Sequence, residues 1–442
     1  MNKITLLLVL AFALVATQPS LASKGVFWED EGQAYKEALK GKKPVLIDFY
    51  GIWCPPCNEL DETVFETEAF LAKAKSFVLL KVDADAKASW KIKDRYKVGG
   101  YPTLIFTNEK GAEIYRVVGY RNAKEMVRIM DMVLKTKGTD FQTACASTTV
   151  PDLMRCATSC AERKDVKCAT EAFNKIQPKT TKGSVEQQIA NSFFLEQEKM
   201  PDLKRNMFER LLLENPEAPL AYVWATEYLN SFEETPKIAP KLELVEGLLK
   251  NYPAASVSPD LDSVGLTRTD LAQMRAELLG KTGKTAEAKI AWKEAAQLFT
   301  VAAQQSVKGN VARGFTIERI YCLEQASELD AALALAEEYA AKFPKEFTFH
   351  FWKASLLYRA KRYLDATPYA YKAFDLSYGD NKIRSATLLL DVLSTIPDRT
   401  TMKKVYDAVK AEIQPAKTLE VRTHRYLKRL EESYQKVPAA KG

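Results

Sequence analysis

The chain has 442 residues, 47% of them hydrophobic and 27% charged, with a formal net charge of +7. This is the composition of ordinary globular domains, and the length predicts two or three of them. The positive excess is spread along the chain without a basic block. Nucleic-acid-binding proteins usually carry such a block, so no nucleic-acid partner is expected.

The first 22 residues are typical of a secretory signal peptide. Lys3 supplies a short positive segment, residues 4–16 form an apolar run, and Ser20-Leu21-Ala22 is a small-x-small cleavage site. The run is too short to span a bilayer comfortably, and no apolar stretch of spanning length follows residue 25. We therefore expect cleavage after Ala22 and a mature chain without a membrane span. It is expected to be periplasmic or secreted, where disulfides form and persist.

Residues 25–137 alternate helix and strand signals and predict an α/β domain. Apolar runs bounded by polar residues or glycine predict four strands, at residues 44–50, 77–83, 103–107 and 113–118. Helical patterns predict four helices, at residues 31–40, from 55 onward, 86–96 and 122–135. Helices that alternate with strands and end in a hairpin imply one mixed sheet covered on both faces.

From residue 139 the strand signals stop, and the sequence predicts an all-α region in two parts. Residues 139–178 contain four cysteines and predict a helical hairpin junction between domains. Residues 179–436 show a weak period of about 34 residues, which is typical of tetratricopeptide-like helical repeats. Small and aromatic residues recur where such a unit needs them, at Ala354, Tyr363, Ala366, Ala370 and Ala373. A generic helical bundle is the alternative.

The segment Trp53-Cys54-Pro55-Pro56-Cys57 lies where a predicted strand gives way to a predicted helix. Cys54 is expected to be exposed at the positive end of the helix dipole, which favours its thiolate. Cys57, one turn later, is expected to be shielded but within bonding distance. Cys54 would then attack a substrate disulfide, and Cys57 would resolve the mixed disulfide. A bare C-x-x-C pair also fits half a zinc site or a structural disulfide.

Histidine is scarce in this chain. Only two occur, His350 and His424, and both are far in sequence from the cysteine pair. This argues against a Cys–His hydrolase or a Cys/His zinc site.

Three further features stand in register with the cysteine pair. Pro102 lies 45 residues after Cys57 and just before a predicted strand, Asp48 interrupts an apolar strand, and Gly119 follows the last strand. With the stretch Asp-Phe-Tyr-Gly-Ile-Trp-Cys-Pro-Pro-Cys, these features make residues 25–137 resemble a thioredoxin-family domain. The resemblance is to exported thiol–disulfide oxidoreductases and to the C-terminal domain of transmembrane thiol-reductant carriers.

The resemblance implies a substrate groove around the cysteine pair. It implies that the Tyr101–Pro102 bond is cis and that its loop packs beside Cys54. Tyr101 would offer its backbone to an extended substrate segment, and Trp53 and Gly119 would border the groove.

Asp48 lies in the apolar run of residues 45–49, so its carboxylate should be desolvated and its pKa raised. The resemblance implies that Asp48 assists proton transfer at Cys57 and that Lys81, on the neighbouring strand, accompanies it. The alternatives are a strand-end polar residue for Asp48 and an exposed lysine for Lys81.

These features predict a thiol–disulfide oxidoreductase that needs no cofactor. It would act on protein clients with disulfides or thiols and would depend on an unidentified electron donor. No histidine lies between the cysteines, and Pro56 removes one amide that could stabilise the Cys54 thiolate, so a reducing couple is expected. Tyrosine before the proline also occurs in disulfide-isomerase-like domains. Reductase or isomerase activity is therefore favoured, and a dithiol oxidase and a non-catalytic binding scaffold are the alternatives.

A second group of cysteines is formed by Cys145, Cys156, Cys160 and Cys168. If residues 151–163 and 165–176 form a helical hairpin, the last two cysteines are equidistant from its turn. We therefore predict structural disulfides that staple the junction, Cys145–Cys156 and Cys160–Cys168. No metal is expected, because the spacing fits no common zinc finger and the compartment is oxidising. A zinc site and a second redox centre are the alternatives.

The remaining predictions concern the repeat region. Cys322 is predicted to be a buried free thiol. Residues 179–436 show no convergent catalytic set, and stacked helix pairs usually bind protein, so we expect the repeats to recruit a client or a protein partner. Aromatic residues are plentiful there, and most are expected in the core with some lining a groove: Phe347, Phe349, Phe351, Trp352, Tyr358, Tyr363, Tyr369 and Tyr371.

Overall fold

The computed structural model describes most of the chain. It covers residues 27–181, 184–197, 201–214, 224–225, 227–228, 239–251, 267–305, 312–395, 399–412 and 421–435. The predicted signal peptide, residues 1–22, lies outside the described residues.

The first domain is a five-stranded mixed sheet in the order β1-β3-β2-β4-β5. Its strands are β1 (Phe27–Trp28), β2 (Val45–Tyr50), β3 (Val78–Asp83), β4 (Thr103–Thr107) and β5 (Glu113–Val118). Strands β1, β3 and β2 run parallel, and β4 and β5 are antiparallel additions. The helices are α1 (Glu31–Gly41), α2 (Pro55–Thr63), α3 (Glu68–Ala74), α4 (Trp90–Tyr96) and α5 (Ala123–Lys135). The predicted α/β fold is confirmed.

Local sequence signals account for most of these boundaries. Asp30 caps α1 by accepting the N–H of Gln33, and Asn122 caps α5 by accepting the N–H of Glu125. Apolar side chains form one buried cluster on each face of the sheet, as the prediction of a doubly covered sheet requires.

Three details of this domain differ from the prediction. The short strand β1 and helix α3 were not predicted. The predicted helix 86–96 is divided into a 3-10 turn at Lys87–Ser89 and the helix α4. The division follows from Ser89, whose hydroxyl donates to the carbonyl oxygens of Ala84 and Ala86 and holds a tighter turn there.

The junction contains three helices, α6 (Phe141–Cys145), α7 (Val150–Glu162) and α8 (Val166–Ile176). Helix α7 packs against β5, where the Arg155 guanidinium donates to the carbonyl oxygen of Ile114. In the structure the cysteines form two disulfides, Cys145–Cys156 and Cys160–Cys168. Helix α6, which carries the first cysteine, was not predicted.

The rest of the described chain is helical, and no strand occurs in it. The helices are α9 (Val185–Gln197), α10 (Pro201–Glu214), α11 (Ala239–Asn251), α12 (Arg268–Lys281), α13 (Thr285–Gln305), α14 (Arg313–Gln325), α15 (Leu329–Lys342), α16 (Phe347–Arg359), α17 (Tyr363–Leu376), α18 (Gly379–Leu393), α19 (Arg399–Glu412) and α20 (Val421–Gln435). Each helix from α11 to α18 packs on the next helix along the chain. The predicted all-α region is confirmed, and its tetratricopeptide character stays a prediction.

Small side chains allow close packing of the pair α16 and α17. The four alanines named for this unit are fully buried, namely Ala354, Ala366, Ala370 and Ala373. Phe347 and Phe349 are also buried, whereas the other six aromatic residues predicted for this segment are partly buried. Cys322 is a buried free thiol, as predicted.

The helical region packs against the edge of the sheet where β2 and β3 end. Helix α14 lies against α2, and a Cβ on Gly314 would be 2.7 Å from the carbonyl oxygen of Pro55. A Cβ on Gly379, whose φ is +56°, would be 2.1 Å from the carbonyl oxygen of Asp85. A side chain does not fit at either position, so the two domains touch backbone to backbone.

Carboxyl groups are buried where α2 meets α12 and α14. Glu62 Oε1 accepts the backbone N–H of Arg313 at 2.5 Å, and its Oε2 is buried without a partner among the described residues. Burial raises the pKa of Glu62 to about 8. Burial, with the charges of Asp270, Glu62 and Glu318, raises the pKa of Glu59 well above its usual value. The docked interface therefore favours protonated carboxyl groups.

Non-reducing peptide mapping is expected to recover the disulfides Cys145–Cys156 and Cys160–Cys168. No lysine or arginine separates the two middle cysteines, so trypsin leaves both on one peptide, and elastase is needed to cut after Ala157. The four sulfurs lie within 4.8 Å of one another, so free thiols must be blocked in acid before digestion to prevent exchange. Recovery of any other pair among the four would contradict the pairing.

Docking of α14 is expected to weaken as the pH rises towards 8. The contribution of Glu62 is complete below its ordinary pKa of 4.5, because the docked form favours the protonated carboxyl, and it is lost as the pH passes about 8. Between these limits docking weakens on the order of tenfold per pH unit. The measurement is hydrogen exchange of residues 313–325, corrected for intrinsic rates.

Glu62→Gln mimics the protonated carboxyl and removes the Glu62 part of this pH dependence, so these residues are expected to be better protected than in the wild type above pH 8. Glu68→Gln, at an exposed position on α3, is the control and should respond to pH like the wild type. The same pH response in wild type and Glu62→Gln would show that Glu62 does not govern the interface.

Candidate active site

The cysteine pair lies where the chain leaves β2 and enters α2. Cys54 is the N-cap, with an extended backbone at φ −91° and ψ 109°, and Pro55 is the first helical residue. The Cys54 carbonyl oxygen accepts the N–H groups of Cys57 and Asn58, both at 3.1 Å. The two cysteines form a disulfide, with Cα atoms 5.3 Å apart. Cys54 thus lies at the positive end of the α2 dipole, where a thiolate is favoured.

The exposure predicted for Cys54 is wrong. Cys54 is 3% exposed and Cys57 is 2% exposed, so the two residues are buried to the same extent. Helix α14 covers this end of α2, and Gly314 lies against the carbonyl of Pro55. The prediction considered only the first domain and not the packing of a helix far along the chain on α2.

The loop before β4 has the cis bond that the resemblance implied. The Tyr101–Pro102 peptide bond is cis. The N–H of Gly119 donates to the Pro102 carbonyl oxygen at 2.8 Å, and Gly119 has a φ of +85°, a conformation that favours glycine. The rings of Trp53 and Tyr101 meet edge to face at 6.3 Å. The four residues predicted to border the groove are therefore connected by direct contacts.

Asp48 is buried in the middle of β2, beside Lys81 of β3 in the strand register. Its Oδ2 is 3.9 Å from Lys81 Nζ, and its Oδ1 is buried without a hydrogen-bond partner among the described residues. Lys81 makes a closer ion pair with Asp61 of α2. Burial raises the pKa of Asp48 to about 7, and Lys81 offsets only part of this effect. The Lys81 side chain is only 12% exposed, so the exposed-lysine alternative is wrong.

A carboxylate joins the redox loop to the helical region. Asp85, just after β3, accepts the indole N–H of Trp53 at 2.5 Å and the amide N–H of Asn381 at 2.6 Å. The Arg384 guanidinium lies 5.5 Å from the Trp53 ring centre and donates to Asn381 Oδ1. The side chain of Trp53 is therefore held from both domains.

Sequence reasoning missed these bridging residues. One signal was present: two acids lie at the carboxyl end of β3, Asp83 as its last residue and Asp85 two positions later. Strand β3 is parallel to β2 and so ends at the same edge. Tyr378 donates a hydrogen bond to the first of these acids. Nothing local in the sequence distinguishes Tyr378, Asn381 or Arg384 from other residues of amphipathic helices, so their roles depend on how the domains dock.

A cavity of about 290 Å³ opens beside the redox loop, between the two domains. Trp53 and Pro55, the residues on either side of Cys54, form one wall. The opposite wall comes from helices α14, α16 and α18, through Ile317, Glu318, Tyr321, Phe347, Thr348, Phe351, Trp352 and Arg384.

The four junction cysteines are the one group of side chains close enough to hold a metal ion within the described ranges. Their sulfurs are paired as disulfides, whereas a metal requires thiolates. The junction also lies away from the redox pair, because Arg163 at the end of α7 contacts Glu113 at the start of β5, and the active-site loop adjoins the other end of that strand.

Comparison with known proteins supports the assignment of the first domain. A family model for the thioredoxin-like domain matches residues 32–134. A protein disulfide-isomerase of Triticum aestivum is 35% identical over 110 residues, which are 25% of this chain and 20% of that protein. The thiol:disulfide interchange protein DsbD of Campylobacter jejuni is 33% identical over 98 residues, 22% of this chain and 17% of the relative.

Two further matches likewise cover only a small part of this chain. The chloroplastic thioredoxin-like protein HCF164 of Oryza sativa is 36% identical over 86 residues, 19% of this chain and 32% of that protein. A solved thioredoxin from Thermus thermophilus is 24% identical, with a TM-score of 0.25, covering 28% of this chain and 94% of the other. The chain thus spans less than a third of the curated relatives described here. Residues 32–134 are a thioredoxin-like domain with a Cys54–Cys57 pair, related to thiol–disulfide oxidoreductases and followed by an all-helical region.

Proposed function

We propose that the protein is an exported thiol–disulfide oxidoreductase that reduces or isomerises disulfides in protein clients. The observation that carries the proposal is a C-x-x-C disulfide at a helix N-terminus, together with a cis-proline loop whose Tyr101 ring contacts Trp53. Cys54 and Cys57 are the proposed catalytic pair. Trp53, Tyr101, Pro102 and Gly119 are the proposed substrate groove.

The reaction begins with the reduced protein. The Cys54 thiolate attacks one sulfur of a client disulfide, that bond breaks, and the other client sulfur leaves as a thiolate and takes up a proton. The Cys57 thiolate then attacks Cys54 Sγ, which forms the Cys54–Cys57 disulfide and releases the second client thiol. The client gains two electrons and two protons, and a dithiol donor must return the electrons to the protein.

Asp48 is proposed to accept the proton of the Cys57 thiol during the second step. A general base works best when its pKa is close to the working pH, and burial brings the Asp48 pKa to about 7. Lys81 is proposed as a positioning residue. Its ammonium lies between the carboxylates of Asp48 and Asp61 and limits how far the Asp48 pKa rises.

The reducing or isomerising direction is supported by the sequence of the loop. No histidine lies between the cysteines, and Pro56 provides no N–H for the Cys54 thiolate. Both features leave the reduced form less stabilised, which makes a dithiol a better electron donor.

Export and recruitment complete the proposal. The signal-peptide pattern of residues 1–22 supports a periplasmic or secreted location. Among the described residues, no helix combines the length and apolarity that a bilayer crossing needs. The helical region is proposed to recruit a client or protein partner, because it packs against the redox loop itself.

A non-catalytic scaffold is the second candidate, and the burial of Cys54 favours it. A disulfide that is 3% exposed at Cys54 can serve as a structural bond rather than an exchanging one. The two functions differ in whether Cys54 forms mixed disulfides with other proteins.

Cys57→Ser is expected to accumulate mixed disulfides between Cys54 and client proteins, because the resolving thiol is gone. Acid-quenched extracts are analysed on non-reducing gels and by mass spectrometry. Cys322 does not compete, since it is buried and burial raises its pKa to about 12.

The matched control is the double variant Cys54→Ser, Cys57→Ser, which should trap nothing. If Cys57→Ser also trapped nothing, the scaffold would be the better account.

Asp48→Asn is expected to slow the release of client from the mixed disulfide, by about a hundredfold at neutral pH, as loss of a general base does. In the wild type this rate should rise with pH through about 7 as Asp48 ionises, and in the variant that rise should disappear. The measurement is the single-turnover rate as a function of pH. Identical pH profiles would remove Asp48 from the mechanism.

The stability of Asp48→Asn provides a control on folding. The folded pKa of Asp48 is above its ordinary value of 3.8, so the contribution of this group is complete below pH 3.8 and falls until about pH 7. The variant should therefore melt at the same temperature as the wild type near pH 4 and at a higher temperature above pH 7.

A further inference from the structure

We propose that the cavity between the redox loop and the helical region binds a large apolar side chain of the client. The inference rests on the proposed function and names its substrate class. That class is an extended or unfolded polypeptide segment with an aromatic or large aliphatic residue close to the cysteine that exchanges with Cys54.

The position of the cavity is the first argument. Trp53 and Pro55 line it, and Cys54 lies between them in the chain. Because Cys54 itself is 3% exposed, a client sulfur can approach only past residues that surround the redox loop. The cavity is open space in contact with both neighbours of the reactive residue, so a client side chain there would lie close to the exchanging sulfur.

The lining of the cavity defines what fits. Most of the lining is apolar, with five aromatic rings and one branched aliphatic side chain, from Trp53, Tyr321, Phe347, Phe351, Trp352 and Ile317. Pro55 and three polar or charged residues, Glu318, Thr348 and Arg384, complete it. At about 290 Å³ it lies at the lower end of the range for ligand sites, which suits a few side-chain groups rather than a folded surface. Burial of a large apolar side chain in such a site is favourable.

Trp53 joins the cavity to the predicted substrate groove. One side of the site is the cis-proline loop, where the Tyr101 ring meets Trp53 at 6.3 Å. The other side is the Arg384 guanidinium, 5.5 Å from the Trp53 ring centre and 5.1 Å from that of Phe351. An extended chain advances about 3.3 Å per residue, so a segment lying along the cis-proline loop needs only a few residues to reach the cavity.

The wall formed by the helical region is fixed by backbone packing at Gly314 and Gly379 and by the Asp85–Asn381 hydrogen bond. A preformed wall lowers the ordering that binding requires. The helical region therefore acts as the second half of the client site, and specificity resides there rather than in the thioredoxin-like domain alone.

The test uses the reduced full-length protein and synthetic peptides. Each peptide has one cysteine as a mixed disulfide with thionitrobenzoate, and the peptides differ only in one residue near the cysteine, Trp, Leu or Ser. The second-order rate constant of thionitrobenzoate release, measured in a single turnover, is expected to be about tenfold to a hundredfold higher for Trp and Leu than for Ser. Trp352→Ala should abolish most of this preference, and Trp352→Phe should restore it.

The matched control is Tyr406→Ala. This partly buried tyrosine of α19 is stacked on Tyr434 and does not line the cavity, so its loss should leave the peptide preference unchanged. A second measurement needs no variant. A Trp-containing peptide with serine in place of its cysteine should inhibit the wild type competitively, and the Ser-containing analogue should inhibit at least tenfold less.

The outcomes distinguish failure of the proposed client site from failure of the proposed thiol–disulfide chemistry. Equal rate constants for all three peptides in the wild type, or a preference that Trp352→Ala leaves intact, would overturn the client site. Bis(2-hydroxyethyl) disulfide, which is too small to use the cavity and the groove together, tests the chemistry. If the wild type does not reduce it, the proposed function itself fails.

Discussion

Two backbone contacts between the domains determine the character of this site. Gly314 lies against the carbonyl of Pro55, and Gly379 lies against that of Asp85, with no room for a side chain at either place. The helical region is therefore packed directly on the backbone of the thioredoxin-like domain at both places. Glu62, which accepts the Arg313 N–H, and the cavity beside Trp53 both lie at this interface.

The buried carboxyl groups near the redox pair outnumber the cationic side chains that contact them. Lys81 is one ammonium between two carboxyl groups, and it lies closer to Asp61 than to Asp48. Asp48 is therefore left with a weak partner in an apolar layer, and its pKa rises for that reason. On the other side of α2, Glu62 lacks a cationic side chain within hydrogen-bond distance among the described residues and takes up a proton more readily.

The sequence predicted the first domain well because its signals are local. The hairpin strands Thr103–Thr107 and Glu113–Val118 appear at the predicted residues, and the helix predicted from Pro55 starts there. The cis bond at Pro102 could be predicted only through the family resemblance, since no composition or spacing rule specifies it. Strand β1 has only two residues, too short for a periodic pattern to be recognised.

The interface between the domains could not be predicted in the same way. Asp85 and Asn381 are separated by 296 positions, and neither belongs to a motif. Glycine at positions 314 and 379 is a sign of close approach only when the opposing backbone is known. The prediction of an exposed Cys54 was wrong for a related reason. It came from the C-x-x-C motif, which contains no information on what packs around the site.

The burial of Cys54 also affects whether the cysteine pair is expected to donate or to accept electrons. Burial disfavours the charged form of a thiol, so the Cys54 thiolate depends on the helix end for its stabilisation. That end is poor in donors, because Pro55 and Pro56 occupy the first two helical positions and provide no N–H. Strongly oxidising thiol–disulfide couples are those whose reduced, dithiol form is stabilised. Here both the burial of Cys54 and the two prolines oppose that stabilisation. A covered Cys54 followed by two prolines therefore supports the proposed reducing or isomerising direction.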